Sequence, residues 1–214
     1  MAWTNASLTT ALQRFTENTS TDFINSIPDL IRLAETRVFR ETNLRIYNNT
    51  ATGTLTSGTN TVTLPTDLSY MRSFTLATLS SSPLLEKHET FLKEYWPQAS
   101  NTDEPIYFTF VDRTTAKVAP TPDSPYTYNI NYRAQPTGLA NSTDGTWLSI
   151  HGDDVLLYAC IVEAHKFLKH MGTPGKKGDI DYWEESYQRS LLQFRDQHEG
   201  RTYSQEYRIG EKLG

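Results

Sequence analysis

Apolar residues recur along the first forty positions with the period of a helix. In ASLTTALQRF, Leu8, Leu12 and Phe15 fall at i, i+4 and i+7, on one face of a short helix. In SIPDLIRLAETRVFRETN the stripe is Ile27, Leu30, Ile31, Ala34 and Val38. Ser26 suits an N-cap, with Pro28 in the first turn and Asp29 at capping-box spacing. Arg32, Glu35, Arg40 and Glu41 lie off the stripe and are expected to face water. From about Asn48 the period falls to two. In ATGTLTSGTNTVTLP, Val62 and Leu64 point one way while Thr59, Thr61 and Thr63 point the other. Turn residues around Ser57, Gly58 and Asn60 predict a β-hairpin. MRSFTLATL follows as a strand, HETFLKEYW as a short helix stopped by Pro97, and IYFTFVD, TTAKVAPTP and PYTYNINYRAQP as strands divided by turn signals. Short strands at this spacing predict a small antiparallel β unit.

Helical periodicity returns at Trp147. In WLSIHGDDVLLYACIVEAHKFLKHM, Leu157, Ile161, Ala164 and Leu168 form one stripe, and Val155, Ala159 and Val162 make the opposite side apolar too. A helix apolar nearly all round is a central, buried one. Asp153 and Asp154 stand near its start, where the helix dipole favours acids. After the loop GTPGKKG, a second helix carries Trp183, Tyr187, Ser190, Leu191 and Phe194 on one face and Glu184, Glu185, Gln188, Arg189 and Arg195 on its back. The order helices, strands, helices predicts an α+β protein. A helical bundle built from residues 1–48 and 136–198 holds an inserted antiparallel β domain over 49–135. Residues 199–214, EGRTYSQEYRIGEKLG, are polar and glycine-broken, yet carry Tyr203, Tyr207, Ile209 and Leu213. A tail that only solvates the end of a chain does not need four such groups.

Composition narrows the function classes. With 214 residues and 37% hydrophobic content the chain can build a core. Its net charge of −5, without a basic stripe, argues against tight nucleic-acid binding. The single cysteine, Cys160, excludes an intrachain disulfide and suits a reducing compartment. The apolar run Val155–Val162 is too short to span a bilayer, and the N-terminus lacks the basic start and apolar run of a signal peptide.

The candidate chemistry has plainer explanations. GTPGKKG places Gly172 and Gly175 too close for a phosphate loop and follows a helix instead of a strand. His165 and His170 are five apart, not the four that set two imidazoles on one face of a zinc helix, and nothing else converges with them or Cys160. His151 with Asp153 and Asp154, and His88 between Glu86 and Glu89, read as helix openings before they read as acid–base groups. No Gly-x-Ser-x-Gly elbow is present, and Gly53 and Gly58 belong to hairpin ends. Tyr126, Tyr128 and Tyr132 share one side of a strand, which is either a core face or a ligand platform.

The ordered set VTLPTDLSYMRSFTL, DEPIYFTFVDRTTAKVAPTPDSPYTYNINYRAQPTGL and TWLSIHGDDVLLYACIVEAHKFL, followed by a Tyr/Trp-rich helix, resembles the head-to-tail adaptor (connector) proteins of tailed bacteriophages, the short-tailed type above all. The likeness runs over residues 26–197. It rests on Leu64-Pro65-Thr66-Asp67, Pro105 with Tyr107, Pro120 and Pro122 before Tyr126, Tyr132, Trp147-Leu148 and Asp154 to Tyr158, with Glu104 where a glycine more usually precedes the proline. The resemblance implies a virion structural protein, made in the host cytoplasm, with no catalysis, cofactor, metal or membrane. It implies a homo-oligomeric ring, a dodecamer, beneath the portal protein. That ring continues the channel through which double-stranded DNA passes without specific binding, and it receives a tail nozzle or tail-tube protein. It also implies a C-terminal segment reaching the portal, so Tyr203, Tyr207, Ile209 and Leu213 become portal anchors. The rival readings are another neck or tail-completion protein, and a carbohydrate-binding or hydrolytic module working on an exposed Tyr126–Tyr128–Tyr132 groove.

Overall fold

A computed structural model of the chain describes residues 2–77, 83–141, 145–170 and 177–198. These hold six α-helices and two small β-sheets, a mixed α and β fold. The chain divides into two compact units. One comprises residues 1–45 and 137–214, the other residues 46–136.

The helical unit contains α1 (Asn5–Phe15), α2 (Thr21–Glu41), α4 (Trp147–His151), α5 (Asp153–His170) and α6 (Lys177–His198). Helix α1 opens on a capping box, in which the Thr4 side chain accepts from the Ser7 N–H and the Ser7 hydroxyl returns the contact. Leu8 and Leu12 are fully buried, whereas Phe15 is 45% exposed and meets the Trp183 ring edge-on at 5.7 Å. Helix α2 starts a turn and a half earlier than its cap signals suggest. Ser20 is the N-cap, Pro28 lies inside the helix, and the Ser26 hydroxyl donates to the Asp22 carbonyl. Phe23 extends the apolar stripe upstream, and its burial outweighs the hydrogen bond that proline omits. Helix α5 packs against both α2 and α6, as its all-round apolar surface requires. The helix expected over 147–170 breaks at Gly152, the C-cap of α4.

Three residues placed off the apolar stripes are only partly open to water and are held by partners. Glu35 accepts from the Leu139 N–H, and Glu41 and Glu184 both bind Arg37. Arg37 donates from Nε to Glu41 at 3.0 Å and as a fork to both Glu184 oxygens, and its Cζ lies 4.3 Å from the centre of the buried Tyr187 ring. The Tyr187 hydroxyl donates to Glu41 at 2.7 Å.

The β unit contains β1 (Asn48–Leu55), β2 (Thr61–Thr63), β3 (Leu68–Leu76), β4 (Leu85–Glu86), α3 (Glu89–Tyr95), β5 (Tyr107–Phe110), β6 (Thr115–Ala119) and β7 (Tyr126–Ala134). One sheet has the order β1-β7-β3, the other β2-β6-β5-β4. The hairpin expected over 51–64 does not form. The turn itself exists, with the Thr59 N–H on the Thr56 carbonyl, but its Gly58 N–H and Ser57 hydroxyl tie it to Pro122 and Asp123. β1 then finds an eight-residue ladder on β7, and β2 pairs with β6 in the other sheet. The unit is also not wholly antiparallel, since β4 runs parallel to β5. Leu55, Leu64, Phe74, Val118 and Ile130 from both sheets share one core.

Gly53 of β1 lies under the Tyr128 ring, where an added Cβ would stand 2.5 Å from Cζ. Tyr128 is itself set edge-on to Phe74 at 5.4 Å, so the ring has little room to yield. Gly53→Ala should destabilise the protein by about 1–3 kcal/mol. A double-mutant cycle with Tyr128→Leu, followed by thermal denaturation, checks the cause. Strict additivity would show that the Tyr128 contact is not responsible.

Candidate docking site

The Tyr-rich strand is a core face. Tyr132 is buried, with its hydroxyl donating to Asp67 at 3.0 Å and accepting from Asn49 at 3.2 Å. Tyr128 packs on Gly53 and Phe74, and the Tyr126 hydroxyl donates to Asp123 at 2.6 Å. The three rings do not line an open groove, which removes the support for a carbohydrate platform.

The acid–base candidates are structural as well. His88 caps α3 by accepting from the Thr90 N–H. Asp154 accepts from the Ser190 hydroxyl of α6, and His151 stacks on Trp147 at 4.9 Å. Cys160 is fully buried, and burial pushes its thiol well above the ordinary range, with the Glu35 and Glu163 charges adding to the effect. The described residues contain no cluster of His, Cys, Asp and Glu able to hold a metal ion. No helix among them is long and apolar enough to cross a membrane. A pocket of about 150 Å³ lies between α3 and β6, lined by Leu92, Trp96, Lys93 and Lys117. It is the size of one side chain, below the usual range for a substrate site.

Tyr203, Tyr207, Ile209 and Leu213, expected from the resemblance to anchor on a portal, and the loop residues Gly172 to Lys176 lie outside the described residues. What the structure does describe is the point from which the tail departs. The last turn of α6 is gripped by rings. His198 meets Phe194 at 4.7 Å and Trp147 edge-on at 5.1 Å, and Trp147 meets Phe194 at 5.9 Å. Gly152 allows this approach, since a Cβ there would stand 2.7 Å from the Phe194 ring. Trp3 braces the same corner, its N–H on the Ser149 carbonyl and its indole N–H on the Asp153 carbonyl. Residues from α4, α5, α6 and the segment before α1 therefore meet at this corner of the helical unit. Periodicity placed Trp147 and Phe194 on helices but gave no sign that they meet each other and His198.

A second aromatic group stands on the helical unit. Trp183 is ringed by Phe15, Tyr158 and Tyr182, and Tyr182 is 63% exposed. Exposed aromatic groups of this kind are common at the centres of protein interfaces.

No curated protein matches the chain. The family model of the SU10 adaptor protein matches residues 4–209, a span that runs through both units and continues into the tail past Tyr203 and Tyr207 to Ile209. A match of this extent assigns the chain to that family of phage head–tail adaptors.

Proposed function

We propose that the chain works as a ring that joins the phage head to its tail, with the helical bundle formed by both ends of the sequence, the β domain inserted between, and the C-terminal tail docked on the portal. Family membership makes it a phage structural adaptor and a virion component that associates with portal and tail proteins. The family match through residue 209 carries the docking reading, because it includes eleven residues beyond the helix that ends at His198. Tyr203, Tyr207, Ile209 and Leu213 are the anchors, which become ordered when the portal supplies their pockets. Arg201, Arg208 and Lys212 nearly balance Glu199, Glu206 and Glu211, a charge pattern suited to protein docking and not to phosphate binding. The ring is a dodecamer that continues the DNA channel, and the net charge of −5 leaves passing phosphates few cations to hold them. A tail nozzle or tail-tube protein binds its other side.

Co-sedimentation with the portal protein of the same genome tests this reading. The full chain is expected to bind in ring stoichiometry, and a chain ending at His198 to bind at least about tenfold more weakly. Equal binding by both would remove the tail from the interface. Binding by neither, together with capture on purified tails, would move the protein to the tail-completion class.

A further inference from the structure

Among the described residues β1 is an unpaired edge of its sheet, and its sequence lacks the charges and prolines that keep edge strands from pairing. Its sequence NNTATGTL has no charge and no proline, and its ladder with β7 runs without a bulge from Asn48↔Arg133 to Leu55↔Tyr126. The direction of its unpaired groups follows from β7. The Ala77 N–H donates to the Thr127 carbonyl at 2.8 Å, so Thr127 turns its backbone polar groups toward β3. Alternation then turns those of Tyr126, Tyr128, Ile130 and Tyr132 toward β1. Their partners Leu55, Gly53, Ala51 and Asn49 are consumed by the ladder. The N–H and C=O groups of Thr50, Thr52 and Thr54 therefore point outward, and all three residues are exposed. The Thr50 N–H confirms the direction, since it is capped at 2.9 Å by the Asn49 side-chain oxygen instead of a strand.

We propose that the outward edge of β1 pairs with β1 of a second copy of this chain, antiparallel across a two-fold axis at Thr52. The other edges do not offer an equivalent partner. β2 has three residues and β4 two, while β3 carries two register shifts and is bridged near its end to Pro83 and Leu84. β1 matches itself. Setting Thr52 opposite Thr52 of the second copy brings Thr50 opposite Thr54, so the outward N–H groups of Thr52 and Thr54 meet outward C=O groups, and the Thr50 N–H does so by exchanging its Asn49 cap for the strand. The facing side chains are uncharged and β-branched, a favourable cross-strand pairing. The sheet grows from three strands to six, and the contact closes on itself, so assembly stops at two copies. The pair is a state of the free chain and does not depend on the portal.

Sedimentation velocity of the full chain over a concentration series, with Thr52→Lys as the comparison, tests the contact. The natural chain is expected to shift toward dimer as concentration rises, and Thr52→Lys to raise the dissociation constant at least about tenfold by facing two like charges. Cross-linking tests the register, because opposed residues in a hydrogen-bonded pair have Cα atoms about 5.5 Å apart, within disulfide reach. Oxidised Thr52→Cys is expected to form a covalent dimer, Thr50→Cys alone to form little, and a mixture of Thr50→Cys with Thr54→Cys to form the mixed dimer. Buried Cys160 does not compete. A chain that stays monomeric at every concentration, with no covalent Thr52→Cys dimer, overturns the proposal. So does cross-linking that is equal at positions 50 and 52. A monomeric chain whose portal or tail binding is lost in Thr52→Lys would assign the edge to a different protein and overturn it too.

Discussion

Arg37→Met is expected to cost about 3–4 kcal/mol of stability, because it removes the one cation that three carboxylates share across three helices. Arg37 donates to Glu41 on its own helix, forks onto Glu184 of α6, and stands 3.7 Å from Glu163 of α5. Its side chain is only 20% exposed, and those of Glu163 and Glu184 are 19% and 33% exposed. Water therefore replaces the guanidinium only in part when it is lost. Lys166 also reaches Glu163, but from an exposed position, and leaves Glu41 and Glu184 facing each other. The hydrogen bond from Arg37 holds the Glu184 carboxyl below its ordinary range, and Glu184 in turn holds the guanidinium firmly charged. Tyr187 adds a ring beneath the cation, and burial together with its bond to Glu41 raises its hydroxyl far above the ordinary tyrosine range. Arg37→Lys should recover only part of the loss, since an ammonium cannot fork onto a carboxylate. Urea denaturation of the single variants, with Arg37→Met/Glu184→Gln alongside, measures the effect. The double variant should be more stable than Arg37→Met because it removes a half-buried charge that has lost its cation. If Arg37→Met lies within about 0.5 kcal/mol of the natural chain, the network is a surface ornament with no grip on the fold.

That network also shows where sequence patterning stops. Arg37 and Glu41 stand off the apolar stripe of α2, and Glu184 on the back of α6, so periodicity assigns the two glutamates to water. Beyond the local Arg37–Glu41 pair, their partners are 146 and 147 positions away, and no local period carries that information. The same limit explains the β unit. The turn at Thr56–Thr59 was legible because it is local, but Thr54 pairs with Thr127 of β7, and the choice of β7 over β2 depends on ladder length. Helix α5 was legible throughout, since burial on every side leaves a composition that needs no partner to be recognised. The start of α2 was misplaced because Pro28 carries two readings. It favours a first turn, yet an exposed proline inside a long helix is tolerated when Phe23 and Ile27 are buried around it. At the docking site, tail composition suggested anchors, but the aromatic clasp at its root is a meeting of Trp147, Phe194 and His198 that only the fold reveals.

The helical unit should lose stability as pH rises from about 5 to about 8, through Glu35. This carboxyl is half-buried on α2, and both its oxygens accept from the Leu139 N–H, at 2.9 and 3.1 Å. Burial pushes its pKa from 4.5 to about 7, and the Leu139 N–H pulls it down only in part. Cys160 on α5, which feels the Glu35 charge, supplies no positive charge to reverse the shift. The native state therefore holds the proton more tightly than the unfolded chain. The stabilisation is complete below the unfolded pKa of 4.5 and disappears as pH passes through about 7. Allowing for the side of the carboxyl that water reaches, the change is about 2 kcal/mol. Glu184 works in the opposite sense, since its lowered pKa stabilises the fold above the ordinary carboxylate range and fails in acid, so the two effects occupy different windows. Denaturation midpoints at intervals from pH 4.5 to 8 should fall for the natural chain and stay nearly level for Glu35→Gln, whose amide oxygen can still accept from Leu139. The two curves should meet near pH 5 and separate as pH rises, with the variant the more stable at pH 8. An unchanged slope in Glu35→Gln would place the titrating group elsewhere. If the slope disappears, the carboxyl that seats Leu139, a fully buried residue at the start of the second stretch of the helical unit, makes that seat weaker in neutral than in mildly acidic solution.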